Sequence, residues 1–178
     1  MLENKVAWYA LRVRARQEQV TVAALAYKGF EHFLPTFKDR RKWSDRYHTV
    51  EAPLFPGYVF CRFDIRDRLP VVTAPGLISI VGFGKSPYPI EDREIANLQL
   101  AVTSGRYLQP WPFVHVGDRV LLKEGPLRDV EGIVVQEKGL SHLVLSINIL
   151  QRSVAVTLDR SWVRPIPVRP ASSAFLAG

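Results

Sequence analysis

The helical hydrophobic period stops near residue 103 and does not return. Before that point strand-like and helix-like stretches alternate; beyond it the apolar runs are short and strand-like. A chain divided in this way folds as two units, one mixed and one all-β. With 178 residues there is room for two small units.

In the first part, residues 6–13 are rich in β-branched and aromatic side chains and predict a strand. Between Arg16 and Lys28, the residues Val20, Ala23, Ala24 and Tyr27 recur at helical spacing, and Gly29 ends that helix. Phe30 to Phe37 returns to strand character, and the charged stretch from Lys38 to Val50 is either an extended hairpin or a mobile loop. Pro53-Leu54-Phe55-Pro56-Gly57 makes a turn into a strong strand from Tyr58 to Phe63. A period of two there sets Tyr58 and Phe60 on one face and Val59 and Cys61 on the other. Asp64 suits the cap of a short helical piece whose extent Pro70 limits. Leu77 to Phe83 reads as a further strand, and Glu91 to Val102 as a helix with Ile95, Leu98 and Val102 on one face.

These elements predict an α+β unit over residues 1–102. Residues 103–113, with Ser, Gly, Gln and two prolines around Trp111, read as a linker. Arg119 to Lys123, Val130 to Gln136, His142 to Ile149, Ser153 to Leu158 and Val163 to Ile166 follow as short strands. Within about 55 residues such strands describe a small all-β barrel, placed over 114–167, with a flexible tail over 168–178.

Several function classes find no support. No run approaches the roughly 20 apolar residues of a membrane span, and the first residues lack the apolar core of a secretory signal. One cysteine, Cys61, allows no disulfide framework, which fits a reducing cytoplasm. His32, His48, His115 and His142 are scattered without metal-ligand spacing, and no phosphate-binding glycine loop or nucleophile elbow is present. Cys61 reads as a packed thiol. Asp64/Asp67 and Asp92/Glu94 fall at helix starts, where the helix dipole accounts for them. The chain is therefore read as a non-enzyme with no metal and no cofactor. Its net charge of +7 favours a polyanionic neighbour.

Two motifs carry information. In Glu51-Ala52-Pro53-Leu54-Phe55-Pro56-Gly57-Tyr58-Val59-Phe60, prolines on either side of Leu-Phe and a glycine turn hold aromatic side chains on a rigid edge. From Val116 to Val134, a strand enters the Gly125-Pro126 turn and returns toward Gly132, a strand glycine of the kind that marks close backbone approach. Leu127 is expected to project from the tip of that hairpin toward a partner. Upstream, Arg40, Arg41, Lys42 and Arg46 surround Trp43 and Tyr47, a mixture suited to phosphate neutralisation and base stacking.

The second motif resembles the KOW motif. Together with Trp8-Tyr9, the Pro-Leu-Phe-Pro-Gly-Tyr segment and the close from Asn148 to Ile166, it resembles the NusG family of transcription elongation and antitermination factors over residues 5–166. Pro53-Leu54-Phe55-Pro56 with Tyr58-Val59-Phe60 and Phe63-Asp64 is similar to the specialised RfaH and UpxY paralogues. The resemblance implies an NGN-like antiparallel sheet flanked by helices, followed by an SH3-like KOW barrel, acting as a monomer.

It further implies that Phe55, Tyr58 and Phe83, with Phe60 beside them, dock on the clamp helices of the largest RNA polymerase subunit and suppress pausing. Arg14, Lys28 and Arg46 match basic positions that face non-template single-stranded DNA in RfaH-like proteins. The barrel, through Leu127 and Leu150, would recruit a small-subunit ribosomal protein or a termination factor. Ala52 stands where RfaH has a locking glutamate, so a stable β-form of the barrel is expected. The alternative is an RNA- or ribosome-binding KOW protein that needs no aromatic docking face.

Overall fold

The computed structural model describes residues 6–111, 118–137, 140–158 and 162–165. His115, the Val116-Gly117 start of the second motif and the expected tail over 168–178 lie outside the described residues.

The N-terminal sheet has the order β2-β5-β1-β6, with β1 Val6–Val13, β2 Glu31–Phe33, β5 Tyr58–Asp64 and β6 Leu77–Ile80. Its strands pair antiparallel, as the resemblance implies. The central strand β1 is buried on both faces, which explains why its sequence lacks clean alternation. One face carries Ala7, Tyr9, Leu11 and Val13, joined by Val59, Cys61 and Phe63 of β5. The helices α1 (Glu18–Tyr27) and α2 (Leu69–Val72) contribute Leu25 and Val71 to this cluster. The other face carries Trp8, Ala10 and Phe60 and packs with Ile95, Leu98 and Ala101 of α3 (Asp92–Thr103). The two faces of β5 are thus divided as its period predicts.

The face of α1 is not the expected one. Val20 and Tyr27 are exposed, Tyr27 at 93%, while Glu18, Thr21 and Leu25 face inward. The inward set is held by tertiary contacts: Glu18 reaches the backbone of Gly57 and the Thr21 hydroxyl donates to the carbonyl of Pro75. Gly29, at φ +78°, ends the helix as the sequence predicts. Asp64 caps the following 3-10 turn by accepting from the Arg66 N–H, and Pro70 lies in the first turn of α2. The same Asp64–Arg66 pairing lowers the Asp64 carboxyl to about 2.

The charged stretch is a hairpin. β3 (Thr36–Trp43) and β4 (Arg46–Pro53) pair in continuous register from Thr36 opposite Pro53 to Trp43 opposite Arg46. A smaller hairpin, β7 (Gly82–Phe83) and β8 (Ser86–Pro87), follows β6. Its strands approach so closely that a side chain at Gly82 would collide with the Ser86 backbone.

The C-terminal part is one six-stranded antiparallel sheet of order β14-β10-β11-β12-β13-β9. The strands are β9 Leu108–Trp111, β10 Asp118–Leu122, β11 Glu131–Glu137, β12 Leu140–Ile147, β13 Arg152–Leu158 and β14 Val163–Pro165. The expected linker is in part a strand. Residues 108–111 pair with β13, from Leu108 opposite Val156 to Trp111 opposite Ser153, and so complete the sheet. Gly132 is required by packing, because a Cβ there would meet Leu143 Cδ1 at 2.7 Å and the Val144 carbonyl at 2.8 Å.

Leu127 does not project. The segment after β10 curls back: Arg128 N–H donates to the Gly125 carbonyl and Asp129 N–H to that of Leu122. Asp129 takes a left-handed φ of 65°. This fold-back turns Leu127 and Val130 into the core, and Leu127 is fully buried. A tip leucine gains more from that burial than from water, about 25 cal/mol for each Å² removed.

Candidate docking face and nucleic-acid hairpin

The docking candidates start from the turn at residues 55–58. Pro56 fixes one central φ, Gly57 supplies the other at +83°, and Tyr58 N–H donates to the Phe55 carbonyl at 3.1 Å. This is a type II turn. The Glu18 carboxylate accepts the Gly57 N–H at 2.9 Å, and the Gly57 carbonyl accepts from Val13 N–H.

The turn sends Phe55 inward. Its ring meets Phe60 edge-on at 5.6 Å, and both are buried, at 1% and 0% exposure. Neither offers the surface expected of it, because the face of β5 that carries Phe60 is roofed by α3 and the C-terminal sheet. Tyr58 is half-buried, and Phe83 is 67% exposed with an edge-on contact to Tyr88 at 5.1 Å.

The C-terminal sheet lies against this same face. Leu122, Leu127, Val130, Leu143, Leu145 and Ile147 belong to one continuous apolar cluster with Trp8, Phe55, Phe60 and Leu98. Polar contacts ring it. Arg93 of α3 pairs with Glu131 of β11 at 2.5 Å, and Asn97 donates to the Glu131 carbonyl. Glu94 accepts from the Asn148 side chain at 2.5 Å and from its backbone N–H at 3.5 Å. Burial pushes the Glu94 carboxyl above its ordinary value, with the Asn148 backbone hydrogen bond opposing.

On the far side, the Arg152 guanidinium stands 5.1 Å from the centroid of the Tyr58 ring. The turn between β12 and β13 therefore reaches from α3 to Tyr58, with Asn148 on Glu94 at one end and Arg152 on Tyr58 at the other. Leu150, within that turn, is half-buried against the shared cluster. Sequence periodicity could not find this contact, since no local spacing links α3 to residues 148–152.

The nucleic-acid candidates separate into two groups. Arg40, Arg41, Lys42, Trp43 and Arg46 lie together at the exposed end of the β3–β4 hairpin. Pairing across the strands places Lys38, Arg40, Lys42 and Tyr47 on one face and Arg41, Trp43, Arg46 and His48 on the other. Arg40 lies 4.4 Å over the Tyr47 ring, and Arg41 pairs with Asp39. Trp43 is 77% exposed and meets His48 edge-on. Arg14 lies outside the hairpin, ahead of α1, and Lys28 follows the last residue of α1. Arg14 is exposed, whereas Lys28 is tied to the Pro70 carbonyl and the Thr73 hydroxyl.

No group of three or more His, Cys, Asp or Glu residues arranged to hold a metal occurs among the described residues. Cys61 is fully buried, and burial raises its thiol to about 12.

Residues 6–99 match the family model described as "Transcription termination factor nusG". Among relatives named transcription termination/antitermination protein NusG, that of Thermus thermophilus is 28% identical, over 89% of this chain and 97% of its own length. The relative from Pseudomonas aeruginosa is 27% identical, over 86% and 90%. A solved structure, "Domain interaction in Thermotoga maritima NusG", superposes with a TM-score of 0.54 at 22% identity, over 92% of this chain and 98% of that one. At that identity the likeness supports the fold.

Proposed function

The chain belongs to the NusG family, and from that membership we propose that it is a transcription elongation and antitermination factor that docks on RNA polymerase through the face bearing Tyr58 and Phe83. No covalent chemistry is involved. Binding to one conformational state of the polymerase suffices to suppress pausing or termination.

The observation that supports this reading most directly is the build of the turn at 55–58. A type II turn, pinned on both sides of Gly57, delivers Tyr58 to the rim of an aromatic cluster that already holds Phe55 and Phe60. Phe83 and Tyr88 add exposed aromatic surface. A few aromatic anchors at the centre of an interface supply most of its binding energy. Phe55 and Phe60 serve this face from beneath, as its floor.

As described, the chain is closed: Arg152 and the turn around Leu150 cover Tyr58. Docking through Tyr58 requires the C-terminal sheet to leave. In the open state that sheet, as a KOW barrel, is free to recruit a ribosomal protein or a termination factor through the turn carrying Leu150. The hairpin end with Trp43 and its four cations suits contact with non-template single-stranded DNA at the same time. The shared Pro-Leu-Phe-Pro motif supports placing the chain with the RfaH-like specialised members.

The test is binding of the full chain to an isolated clamp-helix fragment of the largest polymerase subunit. It compares wild type, an Asn148→Ala/Arg152→Ala form expected to open, and each with Tyr58→Ala. Saturable binding that strengthens on opening and is lost with Tyr58 supports the reading. If neither wild type nor the double variant, once labels on α3 and β12 show it open, binds the fragment, the reading falls, and an RNA-binding KOW protein takes its place.

A further inference from the structure

We infer that Glu18 is a positioning residue for the docking turn, acting through the backbone of Gly57 rather than by touching the partner; the inference rests on the docking reading above. Glu18 begins α1, where a carboxylate complements the helix dipole equally well from solvent. Here it is instead buried, 7% exposed, and directed at a loop 39 residues away.

The geometry explains why that loop needs it. In a type II turn the peptide between the two central residues is flipped relative to a type I turn. The N–H of the second central residue then points away from the turn's own hydrogen bond and needs an outside acceptor. In this turn that donor is Gly57 N–H, and the Glu18 carboxylate receives it at 2.9 Å. The Gly57 carbonyl accepts from Val13 N–H at 2.9 Å, so both polar groups of Gly57 are held from outside the turn. Loss of the carboxylate leaves the peptide free to rotate and Tyr58, the next residue, free to change direction.

The same helix end holds a second turn. Arg14 N–H donates to the Gly76 carbonyl, and the Thr21 hydroxyl donates to that of Pro75. A Cβ at Gly76 would lie 2.8 Å from both Gln17 Cβ and Thr21 Oγ1. The first turn of α1 is thus the joint on which both Pro-Gly turns, at 56–57 and 75–76, are seated. The first leads into Tyr58 and the second, through β6, toward Phe83. This joint also accounts for the inward face of α1, which the apolar spacing alone does not predict.

The experiment uses the full chain, in wild-type and Asn148→Ala/Arg152→Ala backgrounds, with Glu18→Gln and Glu18→Leu. Gln keeps an oxygen acceptor at the same reach; Leu keeps bulk and loses the acceptor. Amide exchange at Gly57 reports the turn, binding to the clamp-helix fragment reports docking, and thermal midpoint reports folding. The expected result is that Glu18→Leu raises Gly57 exchange and weakens binding about tenfold, while Glu18→Gln restores both. Unchanged Gly57 exchange in Glu18→Leu overturns the inference, as does faster exchange with unchanged binding. If no form of the chain binds the fragment, the polymerase reading fails by itself, and Gly57 exchange still decides whether Glu18 sets the turn.

Discussion

Arg152, on β13, holds its guanidinium 5.1 Å from the ring centroid of Tyr58, on β5. The two lie 94 residues apart in sequence, one in each sheet. With the Asn148–Glu94 contact, this pair bridges the C-terminal sheet and the docking face at the edge of the apolar cluster the two parts share.

Removing those contacts is expected to open the chain. An exposed cation–π contact contributes about 0.5–1 kcal/mol, and a hydrogen bond to a carboxylate about 1.5–3 kcal/mol. Asn148→Ala/Arg152→Ala should therefore shift the closed–open balance by about 2–4 kcal/mol, at least roughly 30-fold. Distance measurement between labels on α3 and β12 checks this. An unchanged distance distribution would mean that the apolar cluster alone holds the two parts together.

Stability should also respond to pH through Glu94. Its carboxyl is raised above the ordinary glutamate value, first by burial, with Glu91 adding to the rise and the hydrogen bonds from Asn148 opposing it. A raised carboxyl binds its proton more tightly in the folded chain than in the unfolded one. The favourable contribution is thus fully present below the ordinary glutamate value and lost as pH rises through the raised value. Urea unfolding across that acidic window should show stability falling as pH increases, and Glu94→Gln should flatten the response.

Leu127→Ala tests the burial of the tip leucine. Truncating a fully buried leucine costs about 2–5 kcal/mol, whereas an exposed tip residue would change stability by no more than about 0.5 kcal/mol. Urea unfolding of the full chain separates the two.

Trp43→Ala should behave in the opposite way. Trp43 is exposed at the end of a hairpin, so stability should move by less than about 0.5 kcal/mol. Affinity for a single-stranded oligonucleotide should fall by about 1–3 kcal/mol, the range for loss of one base-stacking platform. Titration at several salt concentrations, with Arg46→Ala alongside, separates stacking from phosphate neutralisation.

Cys61 should be inert in the folded chain. Its thiol is fully buried and raised to about 12 by burial, so little thiolate exists near neutral pH. A chromogenic disulfide reagent should react at the rate of unfolding, and at once in denaturant. Fast reaction without denaturant would contradict the packing of β5 described above.

Much of the architecture is local and was therefore legible. The division of Tyr58 and Phe60 from Val59 and Cys61 follows from the period of a strand, and the face of α3 with Ile95 and Leu98 from the period of a helix. Asp64 caps a short turn because its side chain reaches a backbone N–H two residues on. Loss of the helical period after residue 103 marked the change to an all-β sheet.

Other features depended on long-range partners. By spacing, the apolar set Val20, Ala23, Ala24 and Tyr27 was the face expected of α1. Anchoring of the two Pro-Gly turns by Glu18 and Thr21 turned the other face inward. Phe55 and Leu127 looked exposed because each sits in a turn, yet each turn folds its side chain into the cluster shared by the two sheets. Residues 108–111 looked like a linker until β13 supplied a strand to pair with. Periodicity is written in residues a few positions apart, so the sequence by itself determined which elements form and which side chains share a face. Which face is covered is decided by residues tens of positions away, through burial and hydrogen bonds that exist only once the chain has closed on itself.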